Sequence, residues 1–248
     1  MMKVSNLKEL WSSAPPSKGV FQPDMVSDLP DVARRYLEHA IAPGTKLASA
    51  VWLRMHGEIK LKGWLPFKAE QVIYWDKGMV WRASVRMRGI PIRGFDRIID
   101  GAGEMRWKLL GIAPIVVVSG PDISRSAAGR LAAELVWLPS AFFLGKASWI
   151  DSNSSCSSVN LIVQGHQIGL DIAVDEQCRL DTLHMQRWGN PDEGAFRDID
   201  FGAIAEAEES FGGYTIPSRL RVGWYFGTPR FEQEGEFFRA TIDEVTYR

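Results

Sequence analysis

Residues 119–144 read SGPDISRSAAGRLAAELVWLPSAFFL, and how this stretch folds decides how the rest of the chain is arranged. Ala127, Ala128, Leu131, Leu135 and Leu138 recur at spacings of three and four, which places them on one face of a helix. Asp122 or Ser124 supplies the N-cap, accepting from backbone N–H groups that the first turn leaves unpaired. Pro139 disfavours helical geometry at Leu138, so the helix stops there and Ser140 to Leu144 form a short apolar turn. Gly129 costs roughly 1 kcal/mol relative to Ala in a helix interior, which implies close approach of another group or a kink. Arg130 and Glu134 are four apart and within pairing distance at the edge of the apolar face. Glu134 is therefore either a buried functional acid or, the blander reading, a carboxylate neutralised by its neighbour.

On both sides of this helix the pattern changes period. Leu47, Val51, Leu53, Met55 and Ile59 fall on odd positions, whereas Arg54, His56, Glu58 and Lys60 fall on even ones, the mark of a strand with one buried face. The same alternation returns in Met79, Trp81, Ala83 and Val85 against Arg82, Ser84 and Arg86. Asp76-Lys77-Gly78, Asp100-Gly101 and Gly165-His166 read as turns between such strands. Ile115 to Val118 is a continuous apolar run, suited to a strand covered on both faces. Gly189 to Gly213 breaks the rhythm and reads as a long acidic loop with a short helix over Ala203 to Ser210. Strands joined by tight turns make an antiparallel meander, and about eleven of them curl rather than stay flat. The expected fold class is α+β: a strongly curved antiparallel sheet, or half-barrel, with helices covering its concave face. Residues 1–27 read as an extended lead-in, and residues 28–248 as a single β-rich domain opening with a helix capped by Asp28.

Composition removes several function classes. A formal net charge of −1 gives no global case for nucleic acid, and no aromatic residues interleave with the arginines of the 82–88 stripe. No apolar run is long enough to span a bilayer as a helix. The first residues show no basic segment followed by an apolar run, so the expected location is cytoplasmic. Two cysteines, Cys156 and Cys178, make no disulfide framework. None of the four histidines has metal-ligand spacing, and no dinucleotide fingerprint or nucleophile motif is present, so no metal, cofactor or catalytic residue is assigned. The unusual number is ten tryptophans, which bury large areas and suit either a wide core or the wall of an apolar cavity.

Several short patterns, in order along the chain, carry a resemblance. They are Leu29-Pro30 with Val32 and Arg35-Tyr36-Leu37, then Phe67-Lys68-Ala69-Glu70-Gln71, then Ala133-Glu134 with Trp137 and Pro139, and finally Gly213-Tyr214 with Ile216-Pro217. Together they resemble an uncharacterised bacterial family of the domain-of-unknown-function kind, which has no established activity and so implies no catalytic residue. The layout is also similar to that of the periplasmic lipoprotein carriers, in which a curved sheet holds acyl chains under helices. That likeness is architectural, and fold does not imply function.

The leading expectation is a binding protein for a hydrophobic or amphiphilic small molecule, with Trp81, Trp107, Glu134 and Trp137 around the hollow. Arg82 and Arg86 would join them if their face points inward, where they would fix a carboxylate or phosphate. Alternation opposite Trp81 and Val85 favours the outward arrangement. One alternative is a hydrolase or isomerase acting in the same hollow through His184 or Glu134. The other is an interaction module using a sheet edge or the 189–213 segment.

Overall fold

Among the described residues, period-two alternation produces thirteen strands, all in one sheet and all paired antiparallel with their neighbours. The structure is a computed structural model that describes residues 6–145 and 147–248. After helices α1 (Leu7–Ser13) and α2 (Asp31–Ala40) come β1 (Ala50–Lys60), β2 (Trp64–Tyr74) and β3 (Gly78–Met87). Next are β4 (Ile90–Ile99), β5 (Ala102–Leu109) and β6 (Ala113–Ser119). Helices α3 (Pro121–Glu134) and α4 (Ala141–Leu144) follow, and then β7 (Ser148–Asp151), β8 (Cys156–Val163), β9 (His166–Val174) and β10 (Leu180–Gly189). The chain ends with β11 (Arg197–Phe211), β12 (Tyr214–Trp224) and β13 (Glu236–Tyr247). Four hairpins close on two residues that both have positive φ: Arg88-Gly89, Asp100-Gly101, Gln164-Gly165 and Gly212-Gly213. Such turns carry the twist of the strands they join, so each hairpin continues the curl of the sheet.

The spatial order is β6-β5-β4-β3-β2-β1-β13-β12-β11-β10-β9-β8-β7. The chain therefore builds one arm outward from the middle, crosses to the far edge, and builds the second arm back to the middle. There β1 meets β13, with Val51 opposite Tyr247 and Ile59 opposite Phe238. The crossing segment is the 119–144 stretch. Helix α3 packs on β4 and β5 of one arm and on β8, β9 and β10 of the other, so it roofs the concave side of an unclosed, curved sheet. The arms nearly touch beside it, where the Gly101 N–H donates to Gln164 Oε1 at 2.7 Å. Val51, Leu53, Met55, Trp81, Ala83 and Val85 are buried on the roofed side with Leu131, Leu135 and Leu138.

Five expectations change. Neither Asp122 nor Ser124 caps α3: Gly120 is the N-cap and makes no side-chain cap bond. The strands have recruited both side chains instead, since Asp122 Oδ1 accepts from Trp188 Nε1–H (2.9 Å) and Ser124 Oγ accepts from the Gly103 N–H (2.8 Å). Likewise α2 begins at Asp31 rather than after an Asp28 cap, and its Val32 N–H donates to Asp151 Oδ2 at 3.2 Å. The 189–213 segment is mostly β11, because β10 and β12 offer ladders on both sides of it. β6 is not covered on both faces but is an edge strand, with Ile115 51% and Val117 62% exposed.

The lead-in is not wholly extended either. Asn6 Oδ1 caps α1 by accepting from the Glu9 N–H at 3.1 Å. Leu7 and Leu10 of this helix pack with Val72, Val80 and Ile99 as a second, smaller core. These strand residues alternate with the roofed ones, so α1 lies on the opposite face of the sheet. Helix α3 does stop ahead of Pro139, through a 3-10 turn over Leu135–Trp137. Cys156 and Cys178 are free thiols.

Candidate functional site

Two carboxylates, one from the sheet and one from the roof, converge on one guanidinium. Arg130, one turn from the end of α3, places Nη1 2.9 Å from Asp96 Oδ2 on β4 and Nε 2.7 Å from Glu134 Oε1 on its own helix. Gln71 of β2 donates from Nε2 to Glu134 Oε2 at 2.5 Å, and Trp107 of β5 donates from Nε1 to Asp96 Oδ1 at 2.9 Å. The Arg130 guanidinium also lies 4.9 Å from the Trp81 ring centroid, a cation–π arrangement. Burial raises the Asp96 carboxyl above its ordinary range, an effect that Arg130 and Trp107 only partly offset. Burial also works against the Arg130 cation, but Glu134 and Asp96 outweigh it and raise its pKa.

Beside this cluster is a cavity of about 320 Å³, at the small end of the range for ligand pockets. Its walls are mainly apolar: Trp81, Ala127, Val136, Trp137, Phe201, Leu220, Val222, Trp224 and Phe238 line it, with Asp96, Glu104, Ser126, Arg130, Glu134 and Arg187 as the polar part. Trp137 is fixed by donating to the Pro217 carbonyl at 3.0 Å. The indole N–H of Trp81 and Oε1 of Gln71, which are cross-strand partners, are buried without a hydrogen-bond partner among the described residues. Unmet buried polar atoms of this kind mark a place for water or a ligand group.

Arg187 reaches the cavity from β10, its guanidinium 4.4 Å from the Phe201 ring and 5.0 Å from the Trp224 ring. Burial, with Arg130 adding like charge, pulls its pKa down to about 9. Gly129 explains itself here. A Cβ at that position would sit 3.2 Å from Arg187 Cγ and 3.3 Å from Met185 Cε, so the glycine lets α3 settle onto these two side chains.

Of the residues expected at the site, Trp81, Glu134 and Trp137 line the hollow. Glu134 meets both descriptions offered for it, being buried and also paired with Arg130. Trp107 stands one layer back: it packs on Trp81 at 5.8 Å and holds Asp96, without lining the cavity. Arg82 and Arg86 are exposed on the other face of β3, where Arg82 pairs with Glu70. Side chains alternate across a strand, so the face that buries Trp81 cannot also carry Arg82. His184 is likewise outward, between Asp171 (3.3 Å) and Asp200 (2.9 Å), and Phe226 stacks on it. It is no base for chemistry in the hollow. Asp96, Arg130 as the bridge, and Arg187 lie outside the set of residues that the sequence assigns to the site. Among the described residues no group of three or more His, Cys, Asp or Glu side chains is placed to hold a metal ion.

Fold and site together define a helix-roofed trough of antiparallel strands with an apolar chamber and a few buried charges. Residues 27–247 match a family of unknown function, DUF6920, and the chain belongs to that family. No curated protein matches it. Among solved structures it is similar to a LolA superfamily protein from Nitrosomonas europaea, at 9% identity and a TM-score of 0.46, covering 88% of this chain and 92% of that one. It is also similar to a putative outer membrane lipoprotein-sorting protein domain from Vibrio parahaemolyticus, at 10% identity and a TM-score of 0.44, covering 81% and 86%. Neither likeness carries a function to this chain. Among the described residues no helix is long and apolar enough to cross a membrane.

Proposed function

We propose that the protein holds a hydrophobic or amphiphilic small molecule between α3 and the sheet. The observation that carries this reading is the apolar chamber of about 320 Å³, a volume that a tightly packed core of this composition would have closed. Of the two groups that a hydrolytic reading would use, Glu134 is committed to Arg130 and His184 is held between Asp171 and Asp200 on the outer face, which suits fixing the roof to the sheet better than moving protons.

Native mass spectrometry of freshly purified protein, together with titration of an environment-sensitive apolar dye, tests the reading. A co-purified small molecule, or saturable one-to-one dye uptake with quenching of tryptophan fluorescence, is the expected result. Ala203 lines the chamber, and Ala203→Phe should abolish uptake while leaving the circular dichroism spectrum unchanged. A ligand-free mass with no saturable uptake overturns the reading.

A further inference from the structure

The chamber holds one cation that the surrounding packing leaves unmatched. Arg187 is 9% exposed. Its only hydrogen bond among the described residues runs from Nε to the Ser126 carbonyl at 3.3 Å, so both terminal nitrogens lack an acceptor. Among the described residues no carboxylate oxygen lies within 4.0 Å of it. Of the three acids on the chamber wall, Asp96 and Glu134 are engaged directly by Arg130, and Glu104 is paired with Arg97 and Arg106. Arginine is seldom buried unpaired, because desolvating the charge is costly unless a counter-charge or hydrogen bonds replace the lost water. The rings of Phe201 and Trp224 favour the cation itself. They do not satisfy its N–H groups, which lie in the guanidinium plane and need acceptors.

We propose, resting on the reading that the chamber takes an amphiphile, that Arg187 is the headgroup anchor and that the ligand is a single-chain carboxylate. The two terminal nitrogens donate parallel hydrogen bonds to the carboxylate oxygens, and the chain lies along Phe201, Leu220, Val222 and Phe238. The headgroup class follows from the charge available. A carboxylate is planar, offers two oxygens and carries one negative charge, which one guanidinium edge matches. A phosphate monoester brings a third oxygen and further charge, whereas the other arginine of the chamber is already taken by two acids.

The test compares three ligands of equal chain length, dodecanoate, dodecan-1-ol and dodecyl phosphate, by calorimetric titration at neutral pH against the wild-type protein and Arg187→Met. The wild type should bind dodecanoate about tenfold or more tighter than the alcohol, the range of a charge-assisted hydrogen-bonded pair. Arg187→Met should remove the advantage of dodecanoate over the alcohol. Equal affinity of the wild type for acid and alcohol overturns the anchor and leaves the chamber reading standing. Failure of all three to bind removes the chamber reading and the anchor with it. Dodecyl phosphate binding more tightly than dodecanoate overturns the carboxylate assignment. The acid-to-alcohol contrast is made on the wild type, so it decides the matter even if Arg187→Met does not fold.

Discussion

Arg130 is the residue on which the roof depends. It touches one acid on the helix and one on the sheet, and all three side chains are less than a fifth exposed, at 19%, 15% and 13%. Removing the cation leaves two buried carboxylates without their counter-charge. Arg130→Met should therefore cost about 3–5 kcal/mol, the usual penalty for breaking a buried pair from one side, read from urea denaturation. Asp96 makes a second, pH-dependent prediction. Its carboxyl is raised above the ordinary value of 3.8, chiefly by burial, so the folded state holds this proton more tightly than the unfolded chain does. The associated stability is fully present below the unfolded value and is lost as pH rises through the folded one. Asp96→Asn cannot lose it. The stability of Asp96→Asn minus that of the wild type should become more positive as denaturation is repeated upward from pH 4 to neutrality, and a flat difference would refute the shift. Asp96 and Arg187 are half legible in the sequence. Arg187 follows Leu183 and Met185 in the inward phase of β10, and Asp96 lies between Gly94 and Ile98 in the inward phase of β4. A charged residue in an apolar phase is a visible signal in sequence. Which partner neutralises it is not, since Arg130 and Asp96 meet only through the fold.

At the level of elements, α3 packs by means of a gap in its own surface. With Gly129 resting on Met185 and Arg187, Gly129→Leu should push the helix off β10 at a cost of about 1–3 kcal/mol, as overpacking generally does. It should also reduce uptake of the apolar dye, which distinguishes displacement of the roof from a helix-propensity effect, since leucine is the better helix former. The strands of the first arm and the stop at Pro139 were readable because each depends on a local rule, alternation in one case and proline sterics in the other. β11 was not readable. Ala203-Ile204-Ala205-Glu206-Ala207-Glu208 is a run of helix formers, and it is a strand because ladders on both sides outweigh intrinsic preference. Helix α1 is seven residues long, too short for a periodic signature, and its apolar partners lie more than fifty residues away in Val72, Val80 and Ile99.

For the whole molecule, the order of strands governs how it folds. The centre of the sheet is the β1–β13 pair, so the middle of the trough cannot form until the last strand is available. Long-range pairing of this kind slows folding toward the millisecond-to-second regime. Removing β13 should leave a protease-sensitive chain, because both arms then present a new open edge and the core residues Ala240 and Ile242 are lost. A truncated chain that keeps native protease resistance would show that the arms fold independently.

The same pair has a mechanical meaning. The Ser49 N–H donates to the Arg248 carbonyl at 2.7 Å, and the Arg248 and Ala50 backbones bond to each other in both directions. β1 thus begins where β13 ends, so both ends of the pair lie side by side. A force applied between residues 49 and 248 would load these bonds singly, like a zip, rather than all together as in shear. The protein should yield to a gentle pull along its midline and split into two leaves.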